Sequence, residues 1–102
     1  MLGSLFGFSN RVDITQMLAD GALILDVRTP AEFREGHARD AVNIPLDTLP
    51  GELKRLDKRR PIVTCCRSGM RSASAAALLT RNGFMAHNGG TWQRVEQQRP
   101  KA

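Results

Sequence analysis

The chemistry-bearing residues of this chain gather in one stretch, Thr64-Cys65-Cys66-Arg67-Ser68-Gly69-Met70-Arg71-Ser72. It holds both cysteines, side by side, and then two arginines with a glycine between them. A thiolate is a strong nucleophile, but at neutral pH it needs positive charge or donors close by. Adjacent cysteines make a poor structural disulfide, because a vicinal bridge closes a strained ring and constrains almost no chain. Zinc is served no better: there is no C-x-x-C, and His37 and His87 lie far apart in the chain. The pattern points to a reduced, reactive thiol in a reducing compartment, with no metal and no cofactor.

Two elements must position such a thiol. Pro61-Ile62-Val63-Thr64-Cys65 is an apolar run expected to form a buried strand, and Ser72 to Arg81 is an alanine-rich helix stopped by Asn82-Gly83. The loop between them lies where ligands sit in open α/β sheets, beyond the carboxyl end of a strand. The first amides of a helix have no intrahelical partners and the helix dipole adds positive charge there, so the loop is an anion cradle. Gly69 supplies a backbone angle other residues resist, while Arg67 and Arg71 add fixed charge. An ordinary thiol of pKa about 8.5 is only about 3% ionised at pH 7, and a pKa near 6 would make it about 90% ionised. That shift needs about 3.4 kcal/mol of preference for the anion. Cys66 is the residue placed to receive it, and Cys65 reads as a small core hydrophobe at the strand end.

The remaining elements alternate. Ile14, Met17 and Leu18 recur at helical spacing between Asp13 and Asp20, and Gly21 ends that helix. Ala22 to Val27 is a second continuous apolar strand, and Thr29-Pro30-Ala31-Glu32 carries the signature of a helix start. A brief strand is expected at Ala41–Ile44. A helix follows through Leu46, Leu49, Leu53 and Leu56 despite Pro50-Gly51, with a short strand at Phe84–Ala86 and a last helical turn at Trp92–Glu96. The alternation predicts an α/β fold with a mainly parallel sheet. At 102 residues the chain is one domain, divided into an N-terminal arm (1–10), the domain proper (11–97) and a C-terminal tail (98–102).

The net charge of +5 comes from twelve arginines and three lysines against ten acids. With no tyrosine, one tryptophan and no interleaving of aromatic and basic residues, it argues for small anionic substrates and against nucleic acid. The densest basic run, Lys54 to Arg60, reads as a solvated helix end and loop. No run approaches the roughly 18 apolar residues of a membrane span, so no membrane is expected. The mildly apolar start lacks the cationic head and cleavage site of a secretory signal, and the chain is expected to be cytoplasmic.

The cysteine pair allows two frames. Counted from Cys65, the stretch reads C-x5-R and resembles the phosphate loop of cysteine-dependent phosphatases. Counted from Cys66 the loop is one residue shorter. Cys66-Arg67-Ser68-Gly69-Met70-Arg71-Ser72, with its helix and Asn82-Gly83-Phe84, then resembles the active-site loop of rhodanese domains. Asp26-Val27-Arg28-Thr29-Pro30-Ala31-Glu32-Phe33, Gly36-His37 and Ala41-Val42-Asn43-Ile44-Pro45 resemble that family's first signature, and Asn88-Gly89-Gly90-Thr91-Trp92 its terminal one. The likeness runs from about residue 12 to 95.

The resemblance implies a rhodanese-like fold, with a central, mainly parallel sheet of about five strands flanked by helices. It implies a thiosulfate sulfurtransferase in which Cys66 takes sulfur as a persulfide and yields it to cyanide or to a small or protein thiol. Arg67, Ser68, Gly69, Met70 and Arg71 would bind the substrate, their amides turned inward. The short loop suits sulfur better than a phosphoryl group with three oxygens, and it carries no aspartate to protonate a leaving alcohol, although Asp26 or Asp47 could approach. A relay module between partner proteins is the alternative within sulfur chemistry; a non-catalytic interaction domain would not be expected to retain Cys66. Asp26, Arg28, Glu32 and His37 read as scaffold, with Arg28 and Glu32 expected to pair and His37 to bond backbone. His87 and Trp92 read as packing at the sheet end. Ala86-His87-Asn88 is shorter than the matching stretch of many relatives, and Cys65 stands where they often carry an aromatic or apolar residue.

Overall fold

The computed structural model describes residues 12–101. The stretch read as an N-terminal arm lies outside the described residues. Four helices and four strands follow the order α1 (Ile14–Ala19), β1 (Leu23–Asp26), α2 (Pro30–Glu35), β2 (Val42–Asn43), β3 (Ile62–Cys66), α3 (Met70–Arg81), β4 (Ala86–Thr91) and α4 (Trp92–Gln98). Among the described residues no helix is long and apolar enough to cross a membrane.

The strands form one parallel sheet in the order β2-β1-β3-β4, four strands where about five were expected. Asp26 is in register with Asn43 on one side and Cys65 on the other, so the carboxyl ends of the two central strands lie side by side. The chain leaves β1 toward one edge and β3 toward the other, which opens a crevice at those ends.

Side chains alternate across a strand, and the sheet is covered on both faces. Leu25, Val27, Ile44, Leu49, Ile62, Cys66, Ala75, Leu79 and Phe84 pack in the layer of α3. Leu18, Ile24, Val63, Cys65 and Val95 pack in the layer of α1 and α4. β3 is buried at all five positions, which explains its uninterrupted apolar run.

Three boundaries depart from the sequence reading. Leu49–Arg55 is a 3-10 segment and not an α-helix, because Pro50 lacks a donor and Gly51 disfavours regular helix. Helix α3 begins at Met70, two residues before the alanine-rich run. Strand β4 starts later than expected and runs through Asn88-Gly89-Gly90. There the pairing with β3 slips: Thr64 faces Asn88 but Cys66 faces Thr91, so β4 carries an extra residue. Gly90 takes up that bulge at φ 90°. Gly89 has no room for a side chain, since a Cβ would lie 2.6 Å from Val95 and 2.7 Å from Val63.

Candidate active site

The two thiols part at the end of β3. Cys65 enters the α1/α4 layer and Cys66 the α3 layer, both without exposed surface. Burial, reinforced by the Asp26 carboxylate, pushes the Cys65 thiol up to about 12. Burial also raises Cys66, but the Ser72 hydroxyl, when it is turned to the sulfur, and the amides of Ser72, Gly69 and Ser68 outweigh it, and the net shift is downward. Gly69 N–H donates to Sγ at 3.0 Å and Ser72 N–H at 3.4 Å, with the Ser72 hydroxyl 3.3 Å away.

Local sequence explains this geometry. Gly69 is the N-cap of α3 at φ 98°, in the left-handed region that favours glycine, and it offers no capping side chain. The amide an N-cap side chain ordinarily satisfies is the third of the helix, here Ser72. The sulfur of Cys66 stands in for the missing cap. Sulfur and helix start therefore stabilise each other.

The loop residues divide. Arg67, Ser68 and Met70 are exposed, Met70 at 77%. The amide of Met70 donates to the Ser68 hydroxyl at 3.4 Å and not to the sulfur. The amides around Sγ are thus those of Ser68, Gly69 and Ser72. Arg67 lines a cavity of about 360 Å³ with Arg28, Glu32, Glu35, Trp92 and Gln93. Arg71 faces a carboxylate: its guanidinium donates to both oxygens of Glu32, at 2.8 and 3.0 Å. That guanidinium, with the Thr29 amide, holds Glu32 down at about 2.

The expected Arg28–Glu32 pair is absent. Arg28 folds back on Asp26, its Nε and Nη2 donating to the carboxylate at 2.7 to 3.1 Å. Both groups are buried, and the reach between them is shorter, because the chain turns at the end of β1. Arg28 also donates to the Gly36 carbonyl at 2.7 Å and lies over the Trp92 ring at 5.3 Å. The pair fastens β1, the end of α2 and the start of α4 beneath the loop. His37, expected to bond backbone, instead sets its ring edge-on to Phe33 at 3.8 Å.

Two residues of the site are not marked by spacing. Ser72 reads in the sequence as the first residue of a helix, and Asn88 as part of a terminal motif. In the fold they meet: Asn88 Nδ2 donates to the Gly69 carbonyl at 3.1 Å, and its Oδ1 accepts from Ser72 Oγ at 2.6 Å and Gly90 N at 2.9 Å. The one sequence signal is the glycine pair after Asn88, which permits the bulge that aims it.

A parallel sheet carrying a buried cysteine between strand end and helix start, its sulfur accepting from backbone amides, defines a class of α/β domains. Within that class the chain belongs to the rhodanese family: the family model described as "Rhodanese-like domain" matches residues 11–92. It is 39% identical over 80 residues to a sulfurtransferase of Allochromatium vinosum, covering 74% of this chain and 75% of that one. It is 36% identical over 64 residues to the thiosulfate sulfurtransferase GlpE of Pseudomonas syringae, covering 63% of this chain and 60% of that one. Among solved structures, a rhodanese-related protein of Thermoplasma volcanium superposes with a TM-score of 0.70 at 30% identity, over 80% of this chain and 84% of that one.

Proposed function

We propose that this chain is a sulfurtransferase in which Cys66 is the nucleophile and carries sulfane sulfur from a small anionic donor of the thiosulfate type. The observation that carries the reading is the amide cradle, with Gly69 and Ser72 donating to Sγ from the mouth of α3. The Cys66 thiolate attacks the outer sulfur of the donor. A new S–S bond forms, the donor's own S–S bond breaks, and sulfite leaves with the bonding electron pair. The product is a Cys66 persulfide anion, whose charge the same amides stabilise. A thiophilic acceptor, such as cyanide or a thiolate, then attacks the outer sulfur, and the Cys66 thiolate returns as the leaving group. Atoms and charge balance in each half, and no redox partner is required.

Substrate binding falls to the loop residues 67 to 71. Arg67 is the exposed cation available to a dianion, because the charge of Arg71 is matched by Glu32. Cys66 has no exposed surface at rest, so the rim of the loop must shift before a donor reaches it. The similarity to a sulfurtransferase and to a thiosulfate sulfurtransferase supports sulfur chemistry over phosphoryl transfer.

Intact mass spectrometry after incubation with thiosulfate tests the reading. One added sulfur atom is expected on the wild type and on Cys65→Ser, and none on Cys66→Ser. An adduct lost in Cys65→Ser and kept in Cys66→Ser would reverse the assignment. Turnover with thiosulfate and cyanide separates a free-standing enzyme from a relay module, which would instead take up sulfur from a partner's persulfide.

A further inference from the structure

Ser72 has one hydroxyl proton and two neighbours that could receive it, the sulfur of Cys66 at 3.3 Å and Oδ1 of Asn88 at 2.6 Å. The orientation of the Asn88 amide decides between them. Its oxygen faces the Gly90 N–H and its nitrogen faces the Gly69 carbonyl, two backbone groups of invariable polarity. Turning the amide over would set donor against donor and acceptor against acceptor. Oδ1 therefore faces Ser72, and since an amide oxygen has no proton, the hydroxyl must be the donor of that 2.6 Å bond. Its proton is then committed. In the remaining contact Ser72 Oγ can only accept, and the Cys66 thiol is the donor.

We infer that Asn88 is a positioning residue that withholds the Ser72 hydroxyl from Cys66, so that the sulfur ionises without that hydroxyl's help until the proton swings from Oδ1 to Sγ. The hydroxyl is a two-position switch. Turned to Asn88 it matches the thiol, and turned to sulfur it matches the thiolate or the persulfide sulfur, neither of which has a proton to give. Holding the hydroxyl back keeps the sulfur more basic, and a more basic thiolate is the better nucleophile once formed. The bulge in β4 makes this possible, since it brings Asn88 over both Gly69 and Ser72.

The groups that face the sulfur come from several elements. Arg67 lies in its own loop; Arg71 stands at the start of α3, backed by Glu32 of α2. Cys65 adjoins it on β3, with Asp26 at the end of β1 and Arg28 in the turn after it beyond. The Gly90 backbone lies close to Arg94 of α4, and β4 presents the neutral Asn88. Changing Asn88 to alanine alters no charge in this set.

The inference takes Cys66 as the reactive group of the proposed function, but its readout is the ionisation of the thiol and needs no sulfur donor, so either idea can fail alone. The experiment is a pH titration of thiolate absorbance near 240 nm, with Cys66→Ser as the blank. Asn88→Ala frees the hydroxyl for sulfur and is expected to lower the Cys66 pKa by about one unit, which is about tenfold more thiolate well below the midpoint. A merely structural role for Asn88 gives the opposite sign, because a loosened loop loses amide donors to sulfur. In Asn88→Ala/Ser72→Ala the increase should vanish. Ser72→Ala alone should move the thiolate fraction less than about threefold, since in the wild type the hydroxyl is spent on Asn88. The inference is overturned if Asn88→Ala leaves or raises the pKa with circular dichroism unchanged, or if the drop survives without Ser72. If Asn88→Ala does not fold, Ser72→Ala decides alone: a rise of a unit or more shows the hydroxyl serving the thiolate in the wild type.

Discussion

At the scale of single residues, the sulfur atom that the proposed function makes the reagent is also a helix cap. Cys66 fills the position an N-cap side chain would take, because Gly69 has none to offer. Removing the acceptor should therefore cost stability as well as activity. Cys66→Ala leaves the Ser72 and Gly69 amides without their partner and is expected to lower stability by about 1 kcal/mol, read as a shift of the urea midpoint at unchanged slope. The hydrogen bonds on Sγ, set against its burial, hold the Cys66 thiol below the ordinary thiol range. Alkylation by iodoacetamide should accordingly rise through a midpoint below that of a free thiol. The buried Cys65, pushed up to about 12, should stay unmodified across that range. A single high midpoint shared by both cysteines would mean that the amides do not cradle an anion.

At the scale of elements, the site depends on how β4 meets α3. Gly69 and Gly90 come together here: a Cβ on Gly69 would lie 3.5 Å from the Gly90 Cα, and its φ of 98° already disfavours any side chain. Gly69→Ala should cost about 1 to 2 kcal/mol and rotate its amide off the sulfur, raising the thiol pKa. Gly89 is a purer packing case, wedged between Val63 and Val95, where a Cβ would also come within 2.9 Å of the Thr64 carbonyl oxygen. Gly89→Ala forces β4 from β3 or α4 from the sheet, and overpacking of this kind costs about 1 to 3 kcal/mol. Thermal melts of the two variants separate them, since Gly69→Ala should hurt thiol ionisation more than melting and Gly89→Ala the reverse.

At the scale of the whole molecule, buried and half-buried ion pairs connect the layers. Asp26–Arg28 lies in the interior and also holds the Gly36 carbonyl and the Trp92 ring. Arg28→Ala leaves a buried carboxylate unmatched and should cost about 3 to 5 kcal/mol, a drop in Tm above about 12 °C for a domain of this size. Acid should act on two carboxylates at the surface of the layers. Glu32, bonded to Arg71 and Thr29, and Glu96, bonded to Arg99 and the Arg39 amide, are both held down to about 2 from an ordinary value of 4.5. A depressed carboxylate stabilises the fold above its unfolded pKa, and that contribution fades as pH falls from about 4.5 toward 2. Each pair is partly solvated, so about 1 kcal/mol apiece is the expected loss. Urea midpoints measured from about pH 6 down to about pH 2.5 check it, and Glu32→Gln should flatten the curve while lowering the plateau.

The parts legible in the amino-acid order were those that depend on near neighbours. The capping box at Thr29 and Glu32, the apolar runs of β1 and β3, the alanine helix and the Cys66-to-Arg71 loop all follow from local periodicity and backbone preference. Pair choices did not follow. Arg28 could have met Glu32 by spacing, but β1 ends with Asp26 turned toward Arg28, while Arg71 arrives from another helix to take the freed carboxylate. Nor could spacing connect Ser72 with Asn88, 16 positions on, because the bulge that joins them exists only once β4 is laid against β3. The order of residues by itself determined where a thiol would meet a helix mouth, and the strand's alternation decided that one cysteine of two would face it. The packed sheet alone decided which charges are matched and which group holds the serine's proton, since those depend on distances between segments that chain order leaves open.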